Sequence, residues 1–271
     1  MQMLSRNWWK LLLITIITLL VRVLMLQLLP LSPTFELPLS SLSQTIGMIP
    51  TAAFMFALSC LAIGSVLVLV QQGVSGGTIT RAATCALAFG AFWFLGVLET
   101  VPSLGKPLGP ELIVGAADIV PIITLCVLTS LWTFNAPRSR RPAALRESIS
   151  GILIIALMYF VGRYFLYAVV HVNSGYLTQP AATFAWTLAM GGSVGLMYAL
   201  LKDGIRRKTP WQRGLWFGGV VFGILWTLFN FFMPVVFDVS FIAFDPPLLY
   251  YVWRVVVDIL CVAAGVWLVE R

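Results

Sequence analysis

The chain has 271 residues, of which 60% are apolar and only 10% charged, with a mean hydropathy of +0.96 and a formal charge of +7. Soluble domains carry about 25% charged residues, so this chain lacks the polar surface that a water-soluble fold needs. Its positive excess fits cytoplasmic loops set against anionic lipid headgroups, and nucleic acid is not an expected partner.

A membrane-spanning helix needs about 20 mostly apolar residues. Eight such stretches succeed one another: Trp9–Leu29, Ile46–Val70, Ala82–Val101, Leu112–Phe134, Ile149–His171, Thr183–Leu201, Gly214–Phe237 and Leu249–Leu268. They consume nearly the whole chain and leave no room for a soluble domain of about 50 residues. The expected fold is all-α, a polytopic transmembrane bundle of eight spans. The basic start, Met1 to Lys10, has the look of a secretory signal. The apolar run behind it continues to Leu29, contains Arg22 and lacks a small-x-small cleavage site, so it is expected to stay as the first span.

The gaps sort by charge. Arg6 and Lys10 precede the first span, and Arg81 closes the second gap. Arg138, Arg140, Arg141 and Arg146 fill the fourth; Lys202, Arg206, Arg207, Lys208 and Arg213 fill the sixth; Arg271 ends the chain. The other gaps hold only Lys106, with Glu36, Glu111, Asp238 and Asp245. Both termini are therefore expected in the cytoplasm of a cell-membrane protein. Trp8, Trp9, Trp211, Trp216 and Trp267 fall near the inner boundary. Tyr167, Tyr176, Tyr250, Tyr251 and Trp253 fall near the outer one, where amphipathic rings are enriched. Pro30, Pro33 and Pro38 stiffen the first outer loop, around Phe35 and Leu37; it either lies in the interface or covers a cavity mouth. Asp245-Pro246-Pro247 reads as a rigid turn before the last span. Prolines at Pro50, Pro121, Pro180 and Pro234 mark sites of bending.

The halves, 1–137 and 138–271, echo each other. Leu125-Cys126-Val127 with Trp132 in the fourth span answers Leu260-Cys261-Val262 with Trp267 in the eighth. Arg81 to Pro102 matches Arg213 to Pro234, and Pro50, Phe54 and Leu58 match Pro180, Phe184 and Leu188. Arg22 answers Arg163. With four spans per half, a tandem duplication would insert both halves the same way up, as parallel repeats about an axis along the membrane normal. A central cleft results; the alternative is a plain eight-helix bundle with a chance echo.

Every ionisable residue inside a span falls in the outer half. At 1.5 Å per residue, Arg22 and Arg163 lie roughly 10–12 Å in from the outer end, Asp118, Asn230 and Arg254 roughly 7–11 Å, Asp258 roughly 13 Å and Glu99 roughly 3 Å. A charge at mid-membrane costs about 2.5–3.5 kcal/mol on insertion scales, so these groups must face inward and pair. Arg254 and Asp258, four apart on one helix, are expected to bridge. Two readings stand: a lattice that pins the spans, or the lining of an outward-facing cavity. In the second, Arg22 and Arg163 clamp a carboxylate or phosphate, Asp258 with Arg254 carries a proton or a gate, and Glu99, Asp118 and Asn230 complete the site.

Other patterns carry less. Gly191-Gly192-Ser193-Val194-Gly195 fits G-x-S-x-G, but it lies in a span and its depth does not match that of His171. These glycines, with Gly214, Gly218, Gly219 and Gly223, suit close helix packing or a dimer face. One histidine makes no metal site, and Cys60, Cys85, Cys126 and Cys261 read as small buried hydrophobes. No Walker motif or glycine-rich phosphate loop occurs, and no cofactor, metal or catalytic residue is expected. The expected function is a transporter or permease-like protein binding an anionic or zwitterionic solute, or a lipid headgroup, between two four-helix halves. The alternatives are an intramembrane enzyme acting on lipid or prenyl substrates, and a non-catalytic subunit, sensor or immunity protein. Expected partners are membrane lipids, a second copy of the chain, or a cytoplasmic protein docking at Arg138–Arg146.

Overall fold

In a bilayer only a helix or a closed barrel satisfies its own backbone polar groups, and these apolar stretches lack the alternation a barrel needs. The computed structural model describes residues 2–28, 37–71, 73–133, 145–172, 174–205, 209–240 and 247–271. They form α1 (Gln2–Leu28), α2 (Ser41–Ile46), α3 (Met48–Val70), α4 (Thr78–Val97), α5 (Thr100–Leu104), α6 (Leu108–Thr133), α7 (Leu145–Ala168), α8 (Pro180–Leu201), α9 (Pro210–Trp216), α10 (Gly223–Val236) and α11 (Pro247–Val269). A π-helical turn, Phe217–Phe222, joins α9 to α10. Among the described residues eight helices are long and apolar enough to cross a membrane, which is the architecture of a multi-pass membrane protein. The docking stretch Arg138–Arg146, residues 206–208, loop residues 29–36 and the Asp245-Pro246 turn lie outside the described residues or lack described side chains.

The span ends differ from the expected ones where local chemistry overrides hydropathy. Ile46 belongs to α2, which Ser40 caps by accepting from Ser43 N at 3.1 Å; Gly47, at φ +96°, then turns the chain into α3. The fifth span ends at Ala168, and His171 adopts φ +57° in the loop beyond it. The third span is longer than expected and broken: α4 stops at Val97, and α5 carries it on to Leu104. The sequence placed Glu99 at a span end; it sits at that break.

Within the first half, α1 packs on α3 and α6, and α4 packs on α6. Within the second, α7 packs on α8 and α11, and α9 to α10 packs on α11. The halves meet where α4 lies against α8 and α10 against α3. An aromatic seam fills this junction. Trp226 stacks on Phe229 and Phe222, Phe92 meets Trp226 edge-on, and Trp93 sets its edge against Phe229 and Phe56. The Pro38–Ser40 segment crosses from the first half to the second: Asp238 N donates to Pro38 O at 2.8 Å, Ser40 N to Val236 O at 3.2 Å and Ser40 Oγ to Val235 O at 2.6 Å. At the opposite end, the turns after α3 and α8 touch backbone to backbone. A Cβ on Gly73 would lie 2.1 Å from Asp203 O, and one on Gly204 would lie 2.2 Å from Val70 O.

The expected small-residue faces divide. Gly191 and Gly195 seat α8 on the α7 backbone, and Gly214 and Gly218 seat the seventh span on Ala263. Gly192 and Gly219 have open space where a Cβ would go. Gly195→Ala puts a methyl 2.6 Å from Ile152 O. It should cost about 1–3 kcal/mol by overpacking, whereas Gly192→Ala should be neutral or slightly stabilising. Melting of the two variants in detergent checks this; equal melting would remove the packing argument.

The outer tyrosines depart from expectation. Tyr167, Tyr250 and Tyr251 are buried, packed with Tyr164 and Tyr176, and only Trp253 keeps the exposed ring of a membrane belt. For Tyr250 the reason is chemical: its OH accepts from Arg254 Nη1 at 3.1 Å, so the ring serves a buried cation.

Candidate ligand-binding cavity

A cavity of about 350 Å³ opens between the halves at the end of the bundle away from both termini. Pockets that bind small molecules start at about this size. One wall is charged. Arg22 reaches it from α1, Asp118 and Glu111 from α6, Lys106 from the loop before α6, Glu99 from the α4–α5 break and Arg254 from α11. The α10 part of the lining is apolar, with Leu228, Phe229, Phe232 and Met233, and Asn230 joins it. Asn230 Nδ2 donates back to Trp226 O at 2.8 Å, which fixes the amide.

The charges pair across helices, as a low-dielectric setting demands. Arg22 Nη1 lies 2.6 Å from Asp118 Oδ1, and Lys106 Nζ lies 3.3 Å from Glu111 Oε1. Thr100 Oγ1 donates to Glu111 Oε2 at 2.7 Å. Arg254 pairs with Glu99. The expected Arg254–Asp258 bridge is not formed, because Asp258 is taken by Arg163 and Arg254 turns to Glu99.

Two triads of the same residue types result. In the first, Asp118 holds Arg22 and receives the Trp93 indole N–H at a long 3.4 Å. In the second, Asp258 Oδ2 holds Arg163 Nη2 at 2.8 Å and receives the Trp226 indole at 2.7 Å. Each takes its Arg from the first helix of a half, its Trp from the third span and its Asp from the fourth. Their surroundings differ. Arg22 stands over Phe56 with Cζ 4.2 Å from the ring centre and faces the cavity. Arg163 is sealed. Its Nε donates to Tyr159 OH at 3.0 Å, its Nη1 lies 3.1 Å from Glu99 Oε1, and Trp186 and Trp226 each lie 5.3 Å from its Cζ.

The expected site residues therefore split into two layers. Arg22, Glu99, Asp118, Asn230 and Arg254 line the cavity; Arg163 and Asp258 lie beneath it and do not. The pairing of Arg22 with Arg163 around one ligand does not match this geometry, and Arg254 is the second guanidinium of the wall. Sequence reasoning missed Lys106 and Glu111, set aside as loop residues, and Trp93 and Trp226, whose indole donors carry no charge to draw notice. Ser193 returns its hydroxyl to Met190 O at 2.8 Å, as a helix-interior serine does. Cys60, Cys85 and Cys126 are buried, and Cys261 is half-buried.

Compared with known protein families, curated proteins and solved structures, the chain shows no significant match.

Proposed function

We propose that this chain is a permease-like protein of the cell membrane that takes an amphiphile with an anionic head, a carboxylate or a phosphate, into the cleft between two related four-helix halves. The observation that carries this reading is that in two of the three ion pairs lining the cavity the cation is the more exposed partner. The Arg22 side chain is 21% exposed against 10% for Asp118, and Lys106 is 22% exposed against 4% for Glu111. The acids of these two pairs are the more covered partners, and aromatic and aliphatic side chains of α10 share the lining. At Arg22 and Lys106 a lining of equal opposite charges thus offers its cations to a ligand. Guanidinium and ammonium groups hold carboxylates and phosphates by charge-assisted hydrogen bonds, and the α10 wall suits a short hydrocarbon.

Duplication of a four-helix unit is supported by packing. Exchange of the halves turns the α4–α8 contact into the contact of α10 with α3, and carries each Arg–Asp–Trp triad onto the other. Arg81 to Trp93 spans twelve positions and Arg213 to Trp226 thirteen; the π-turn absorbs the extra one. The Leu-Cys-Val match sets Asp118 opposite Trp253 rather than Asp258, and the Arg81–Pro102 match sets Trp93 opposite Leu225 rather than Trp226, so the relation holds for helices and triads and not for those registers. The distribution of Lys and Arg supports cytoplasmic termini, which opens the cavity to the extracytoplasmic side. There the lipid of the outer leaflet and solutes outside the cell are the two sources of such a head.

The test is direct. Protein in phosphatidylcholine nanodiscs is titrated with hexyl phosphate, hexanoate, hexanol and hexylammonium while tryptophan fluorescence is followed. Saturable binding of the two anions alone is the expected result. Equal binding of hexylammonium would sink the reading. Liposome uptake of hexyl phosphate then separates a carrier from a receptor: binding without flux removes the permease and keeps the site.

A further inference from the structure

The third ion pair of the cavity is turned the other way round. Here the acid stands in front: the Glu99 side chain is 12% exposed, against 8% for Arg254 and 1% for Arg163. Its two oxygens are divided, Oε1 lying 3.1 Å from Arg163 Nη1 and Oε2 meeting Arg254 Nη2. Two guanidiniums converging on one carboxylate form an anion clamp. Both cations come from the second half, on α7 and α11, and the anion comes from the first.

Resting on the reading above, we infer that Arg254 and Arg163 form a second anion subsite that Glu99 occupies as a tethered stand-in, and that the head of an incoming carboxylate or phosphate amphiphile displaces Glu99 from Arg254. Three features of the fold support the exchange. Glu99 lies in the turn between the end of α4 and the start of α5 and lines the cavity itself, so rotation about its side-chain bonds alone can carry the carboxylate off Arg254. Arg254 lines the cavity and Arg163 does not, so a ligand meets Arg254 first. Lys106 lines the same cavity and offers the released carboxylate another cation. Tyr250, whose hydroxyl accepts from Arg254, and Tyr159, whose hydroxyl accepts from Arg163, hold both guanidiniums in place while the anion changes.

The sign of one effect decides the matter. A tethered carboxylate competes with the ligand at a high effective concentration, so Glu99→Gln should bind hexanoate and hexyl phosphate tighter, by roughly tenfold. Unchanged or weaker binding by folded Glu99→Gln overturns the displacement. Glu99→Ala provides an independent reading that needs no amphiphile. It leaves the clamp empty, and its melting temperature should rise saturably with sodium acetate beyond the effect of equal sodium chloride, whereas the unaltered chain should not distinguish the two salts. Equal responses of Glu99→Ala to both salts overturn the clamp. Failure of the unaltered chain to bind either anionic probe would remove the proposed function, while the acetate response would still report on the subsite.

Discussion

Replacing Asp258 with Ala should destabilise the folded protein by about 3–5 kcal/mol, the cost of leaving a buried cation without its partner. Asp258 is fully buried, and so is Arg163, the cation it holds. Trp226 loses the acceptor for its indole N–H in the same variant. Glu99 alone would then face Arg163 and Arg254 together. Replacing both members of the pair, Arg163→Met with Asp258→Val, should recover part of the loss, because apolar groups of similar volume are often no worse than a buried ion pair, while the Trp226 indole still lacks its acceptor. Melting of the three proteins in detergent, combined as a double-mutant cycle, measures the coupling. A single variant that melts like the unaltered chain would show that this triad contributes nothing to stability.

The second large effect concerns binding. Arg22→Gln should weaken hexyl phosphate binding by about 2 kcal/mol, or roughly thirtyfold, the size of a hydrogen bond to a charged group. The loss has two parts. A donor to the ligand disappears, and Asp118, now without its cation, presents an uncompensated negative charge to an anion. Arg22→Lys keeps the charge and loses the planar fork, so it should fall between the two. Tryptophan fluorescence tracks the titration, because Trp93 stands in the cavity wall. Binding unchanged in Arg22→Gln would take the first helix out of the site.

The spans and the need for pairing were legible in the sequence, because both arise from one cost, that of a bare polar group in hydrocarbon. The three Arg and three carboxylates counted within spans do pair with one another. Which pairs with which was not legible. The Arg254–Asp258 bridge was inferred from helical spacing, but spacing along one helix says nothing of a better partner on a neighbour. Arg163 from α7 takes Asp258, and Glu99 from the other half takes Arg254. Glu99 was placed too shallow because hydropathy ends the span at Val101, while α5 continues to Leu104. Glu111 was counted in the gap because the apolar stretch was taken to begin at Leu112, yet α6 already begins at Leu108. The sealing of Arg163 depends on Trp186, Trp226 and Tyr159, which read in sequence as ordinary apolar filling.

The π-turn at Phe217–Phe222 has a consequence for rotation about the helix. Each residue added to an α-helix rotates the rest of that helix by about 100°. Inside the wide turn an additional residue is absorbed without breaking the span. Deleting one residue there would let an ordinary helix close up, and every side chain beyond it would swing by about that angle relative to α9. The Trp226 indole would then leave Asp258, and the face carrying Phe229 and Met233 would rotate off the hydrocarbon side of the cleft. The seventh span thus works as an angular setting, with α9 fixed against Ala263 and α10 dialled by a single loop of backbone to meet the seam.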